Sequence, residues 1–187
     1  MVHKVKIRKT RPAAWQTLLS NMANTKKEEN FIETWLAEYL QFPGNFDKKP
    51  LLLHGRHHWV NHILWGFLRS QFPQVGLASN LSSGYRGNPN GLIVHSHPLE
   101  SQLGGITELT MMVGHPHLKS KKYLSLNAAH WLLLDDGDNP INVPKGITKI
   151  VYRGSVGKDR DKAILKAKKW FEDSTNQYKV FRHLRGK

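Results

Sequence analysis

The chain has 187 residues, 39% of them hydrophobic and 10% aromatic, enough to bury one core but cramped for two full domains. It carries 28 Lys and Arg against 14 Asp and Glu, a formal charge of +14, and has no cysteine. Disulfides and thiolate metal sites are thereby excluded, and no apolar run reaches the roughly 18 residues of a bilayer span. The basic, alternating start is unlike a signal peptide, so an intracellular protein away from membranes is expected. Its cationic surplus suits a polyanionic partner, DNA or RNA.

Residues 3–9 alternate basic and apolar side chains, the pattern of a half-exposed strand or an extended arm, so 1–12 is read as a basic arm or edge strand. Helices are expected over 13–22 and 28–40. In the second, Phe31, Ile32, Trp35, Leu36, Tyr39 and Leu40 recur at helical spacing and Pro43-Gly44 ends it. Leu51-Leu52-Leu53 reads as a buried strand and 57–70 as a largely buried helix, a strand-turn-helix unit. The stretch 79–90, rich in Ser, Gly, Asn and Pro, reads as an ordered loop presenting Tyr85 and Arg86.

A short strand over 92–94 then delivers His95-Ser96-His97-Pro98, and a helix is expected over 118–129. Residues 131–134 form a further buried strand that ends in Asp135-Asp136-Gly137-Asp138. The segment 147–152 is β-rich and 159–173 is helical. Together these predict an α/β fold, with mixed α+β as its variant. The expectation is a single compact domain over 1–187, a short central sheet with flanking helices, a basic C-terminal helix and a basic tail over 174–187.

The helix over 159–173 places Lys158, Lys162, Lys166 and Lys169 along one side and leaves Ile164, Ala167, Trp170 and Phe171 for packing. Like charges four residues apart cost stability unless an anion offsets them, so phosphate contact stands beside a merely solvated face. With Arg56, Arg86, Lys119 and Lys121 these lysines are the candidate nucleic-acid contacts. Aromatic and basic residues together also suit single-stranded or structured RNA, through base stacking on Trp or Tyr.

Eight of the eleven histidines fall in two groups: His54, His57, His58 and His62, and then His95, His97, His115 and His117. In the first, His58 and His62 share a helix face but no carboxylate accompanies them, which favours packing or anion contact over a metal. Gly55-Arg56-His57-His58 has the position of a phosphate loop but lacks its second glycine and its lysine, so P-loop hydrolysis is not expected. Asp135, Asp136 and Asp138 stand where α/β enzymes often hold Mg²⁺, and equally where a turn ends a strand. Asp47 and Lys49 form an Asp-x-Lys without the rest of a nuclease pattern.

In the second group, Val94-His95-Ser96-His97-Pro98 is followed by Gly104-Gly105, Glu108-Leu109 and His115-Pro116-His117. This stretch, 94–121, resembles the HNH, or ββα-metal, nuclease motif. The resemblance implies His95 as general base, His117 as a metal ligand, Glu108 at the family's Asn position and a bound divalent ion, Mg²⁺ or Zn²⁺. Val94 stands where the family has a ligand, which leaves that part to His97. A neutral imidazole and one metal would supply the activated water and the charge neutralisation that phosphodiester hydrolysis needs.

The same residues also resemble the JAMM metalloprotease motif, in which two strand histidines, here His95 and His97, and an acid, here Glu108, bind zinc. Gly105 replaces that family's serine, and no catalytic glutamate is evident on an early strand. Three classes therefore stay open: a metal-dependent nuclease, a non-catalytic nucleic-acid-binding protein, and a JAMM-like zinc hydrolase.

Overall fold

The computed structural model describes residues 4–46, 48–49, 51–55, 58–72, 75–77, 92–96, 130–135, 148–151 and 158–186. Helix α1 (Ala13–Met22) follows Pro12, whose φ of −58° is already helical and whose carbonyl accepts from the Gln16 N–H. Helix α2 (Lys26–Gln41) starts on a reciprocal cap. The Thr25 hydroxyl accepts from the Glu28 N–H, and the Glu28 carboxylate reaches back to the N–H of Asn24. Of its apolar stripe, Ile32, Trp35, Leu36, Tyr39 and Leu40 are buried, whereas Phe31 is exposed at the stripe's border.

Five strands, β1 (Leu51–His54), β2 (Val75–Leu77), β3 (Leu92–Ser96), β4 (His130–Asp135) and β5 (Thr148–Val151), form one sheet in the order β2-β3-β4-β1-β5. Every pairing in it is parallel. Strand β1 lies between β4 and β5 and is buried throughout, which is why it reads as an unbroken leucine run rather than an alternation. A 3-10 turn over Pro43–Asn45 follows α2, and helices α3 (His58–Gln71), α4 (Lys158–Phe171) and α5 (Ser174–Arg185) complete the described elements. The fold is α/β with helices flanking a short central sheet, and α4 is the basic helix expected near the C-terminus.

Phe67 of α3 is central to the helical core. Its ring lies 5.7 Å from Trp15 of α1, 5.7 Å from Phe72 and 5.9 Å from Phe171 of α4. Trp15 is a core residue, Trp65 packs against the core's edge, and Trp59 is 42% exposed. The segment expected as a basic tail is instead α5. It is capped by Asp173, whose carboxylate accepts from the Thr175 N–H, and it buries Val180, His183 and Leu184. Burial of every third or fourth residue turns a polar, basic stretch into an amphipathic helix.

Residues 4–9 run as an arm along the end of α5, outside the sheet. Val5 and Ile7 pack on the core while Lys4, Lys6, Arg8 and Lys9 are exposed. The Lys6 backbone exchanges two hydrogen bonds with the Gln41 side chain, at 3.2 and 2.7 Å, and the Arg8 N–H donates to the His183 carbonyl at 3.2 Å. Strand β2 is an element that the sequence reading lacked. The expected loop over 79–90 and helix over 118–129 lie outside the described residues.

Candidate functional site

Two features of the fold could meet a ligand: the carboxyl ends of the central strands and the cationic surface. From β1 the chain crosses towards β2, and from β4 it crosses to β5 in the opposite direction. These two connections cross each other's strands instead of parting between them, so β1 and β4 do not form a diverging switch point; the carboxyl edge of the sheet is still where open parallel sheets bind ligands. At this edge His54, the last residue of β1, is register-paired with Asp135, the last of β4. His54 and the following Gly55 are buried, and α3 begins at His58.

His95 lies on β3, register-paired with Leu133. Because alternate residues share a sheet face, this register puts positions 54, 95 and 135 on the same face near the carboxyl edge. The other residues expected around it, His97, Glu108 and His117, lie outside the described residues, as do Arg56, Arg86, Lys119 and Lys121. Strand β3 has a parallel neighbour on each side, β2 and β4, so the returning antiparallel strand of a ββα finger has no free edge of β3 to join. Among the described residues no group of three or more His, Asp or Glu is placed to hold a metal ion. No described helix is long and apolar enough to cross a membrane.

The cationic surface arises from a division of labour between charges. All four carboxylates of α2 are engaged within the protein. Glu28 completes the helix cap and Glu38 pairs with Lys48 at 3.6 Å. Glu29 accepts from Lys26 at 2.6 Å and Gln16 at 2.8 Å and sits 3.4 Å from Arg11. Burial pushes the Glu29 carboxyl up, but hydrogen bonds from Lys26 and Gln16 and the charges of Lys26 and Arg11 leave it below the usual carboxylate value.

Glu33 is the most enclosed of the four, at 5% exposure. Its Oε1 lies 2.9 Å from Arg11 Nε, 2.9 Å from Trp15 Nε1 and 2.8 Å from His183 Nε2, while Oε2 accepts from Arg11 Nη2. Burial raises this carboxyl's pKa. The hydrogen bonds from His183, Arg11 and Trp15, together with the Arg11 charge, outweigh that and lower it to about 2. Arg11 escapes a sequence reading because nothing but its place before Pro12 marks it out.

The lysines are disposed the other way. Lys158, Lys162, Lys166 and Lys169 of α4 are exposed and enter no ion pair among the described residues. Ile164, Ala167 and Phe171 hold the opposite face of α4 in the core. Lys168 caps the exposed Trp59 ring, with Nζ 3.9 Å from its centroid, and His62 meets that ring edge-on. On α5, Lys179, Arg182 and Arg185 are exposed beside the cations of the arm.

No protein-family model matches the chain, and no curated protein matches it. Solved structures do. An A-form apo structure of the NrS-1 C-terminal region aligns with 98% of this chain and 48% of its own at 16% identity, with a TM-score of 0.53. A second A-form apo structure of that region, residues 305–718, gives 16% identity and a TM-score of 0.49 over 98% of this chain and 45% of its own. A third apo structure of the same region gives 15% and 0.46 over 95% and 50%. The likeness is one of fold, and the chain spans about half the length of these structures.

Proposed function

We propose that the protein binds nucleic acid through the cationic surface of α4, α5 and the N-terminal arm. The observation that carries this reading is the disposition of charge: the carboxylates of α2 are spent on internal partners, while Lys158, Lys162, Lys166 and Lys169 of α4 are exposed and enter no ion pair among the described residues. A row of unpaired lysines at three- and four-residue spacing repels itself, and condensing phosphates onto it relieves that repulsion and releases counterions. Titration of labelled DNA and RNA oligonucleotides at increasing salt tests the reading. Affinity should fall by about one decade per decade of salt for each phosphate contacted. Negligible retention on oligonucleotides or heparin at low salt would sink it.

A second reading adds metal-dependent phosphodiester cleavage at the carboxyl edge of the sheet. It is favoured by the register that sets His95 on the face of His54 and Asp135 near the carboxyl ends of β1 and β4. A ligand set there would include His97, Glu108 or His117 and would hold Mg²⁺ or Zn²⁺. Metal analysis of the purified protein, with nuclease and peptidase assays run with and without chelator, separates a nuclease from a JAMM-like zinc hydrolase and from a binder without catalysis.

A further inference from the structure

We infer that the outer face of α5 is a stacking platform for single-stranded nucleic acid; this rests on the nucleic-acid reading and narrows its substrate class. Val180 and Leu184 point into the core and are fully buried, while the opposite face of the helix lies towards the surface, with Phe181 partly buried against the edge of the core. That face carries Tyr178, Phe181, Arg182 and Arg185 at the i, i+3, i+4, i+7 spacing of one stripe. The Tyr178 and Phe181 rings are stacked, with centroids 5.8 Å apart and planes 19° from parallel. The Arg185 guanidinium lies 5.6 Å from the Phe181 centroid and extends the column.

Tyr178 is 51% exposed. Phe181 stacks beside the ring, and about half of the tyrosine's surface stays open to solvent. A single exposed aromatic is ordinary on a protein surface; a stacked pair ended by an arginine is a ready-made extension of a base stack. Beyond Phe181 the surface dips into a groove of about 450 Å³, floored by Leu40 and Phe72 and edged by Ser70, Gln71 and Arg185.

Charge selects the occupant. Lys179 and Arg182 flank the aromatic stripe, and Lys6 and Arg8 are held alongside the same end of α5 by the hydrogen bonds to Gln41 and His183. An apolar protein segment would gain nothing from that ring of cations, whereas a strand of phosphates with unstacked bases uses both features. A duplex keeps its base faces against each other, so it can use the cations but not the rings. The platform therefore discriminates strandedness, which the α4 lysines alone do not.

The test compares Tyr178→Ala and Tyr178→Trp with the unmodified full chain. The probes are fluorescein-labelled oligo-dT and oligo-U of about 12 nucleotides and a duplex of equal length, read by anisotropy. Tyr178→Ala should lower single-strand affinity by about five- to a hundredfold and leave duplex affinity within about twofold; Tyr178→Trp should keep or raise single-strand affinity. Equal losses on both probes, or no loss on either, would overturn the platform while leaving nucleic-acid binding intact. Failure of the unmodified chain to bind any probe would instead remove the parent reading. Self-association that light scattering detects and Tyr178→Ala abolishes would give this face to a second copy of the chain and overturn the inference too.

Discussion

The Nε2 of His183 lies 2.8 Å from Oε1 of Glu33, joining two buried side chains 150 residues apart in sequence. The contact ties the last helix to the second. Through Arg11 and Trp15 the same carboxylate also holds the arm's end and α1. Replacing it by Glu33→Ala removes the acceptor of the Trp15 indole N–H and of the Arg11 Nε, and the partner of the buried His183 ring, while Arg11 keeps its contacts with Gln16, Glu29 and Asn30. A loss of about 3–5 kcal/mol in unfolding free energy is expected near neutral pH, measurable by urea denaturation.

Acid should reveal the same group. Its pKa is lowered from 4.5 to about 2 on folding, so the unfolded chain takes up this proton first as the pH falls. The stability it contributes is complete above about pH 4.5, drains between there and pH 2, and amounts to roughly 3 kcal/mol. In Glu33→Gln that limb of the stability profile should flatten. An unchanged acid limb would mean that other carboxylates govern it.

Gly186 caps α5 with φ of +70°, and a Cβ at this position would collide with the Lys6 carbonyl. Gly186→Ala combines backbone strain with displacement of the arm, for an expected cost of about 1–3 kcal/mol. Amide exchange at Lys6 and Arg8 should speed up more than exchange in β1. Weaker oligonucleotide binding should accompany it if the arm's cations act from this position.

Reversing two charges of α4, in Lys162→Glu with Lys166→Glu, should weaken binding to single strands and duplexes alike. The slope of log affinity against log salt should become shallower by about 2. Both side chains are exposed, so the thermal midpoint should scarcely move. A salt slope equal to that of the unmodified chain would make this face a solvated one.

His95→Ala examines the cleavage reading by itself. Metal-dependent hydrolysis of an oligonucleotide should vanish while affinity stays within a few-fold. Cleavage at an undiminished rate would remove His95 from the chemistry.

Local pattern reveals most of the described scaffold. The helical stripe from Ile32 to Leu40, the leucine run of β1 and the amphipathic α4 each bury what their spacing says they bury, because period and burial are coupled within one element. Strand β2 escapes notice since three residues, Val75-Gly76-Leu77, are too few to establish a period. The 174–187 stretch misleads through its polarity: its helix is sustained by three inward residues and a cap rather than by composition. The seating of β1 between β4 and β5 and the enclosure of Glu33 depend on contacts between distant segments, and no window of sequence contains them.

The placement of β1 between β4 and β5 also has a cost during synthesis. Leu51 must find Leu132 on one side and Thr148 on the other, so a leucine-rich strand leaves the ribosome several seconds before either neighbour exists. Such high contact order predicts slow folding, and a nascent Leu51-Leu52-Leu53 that needs shelter from aggregation until the C-terminal half arrives.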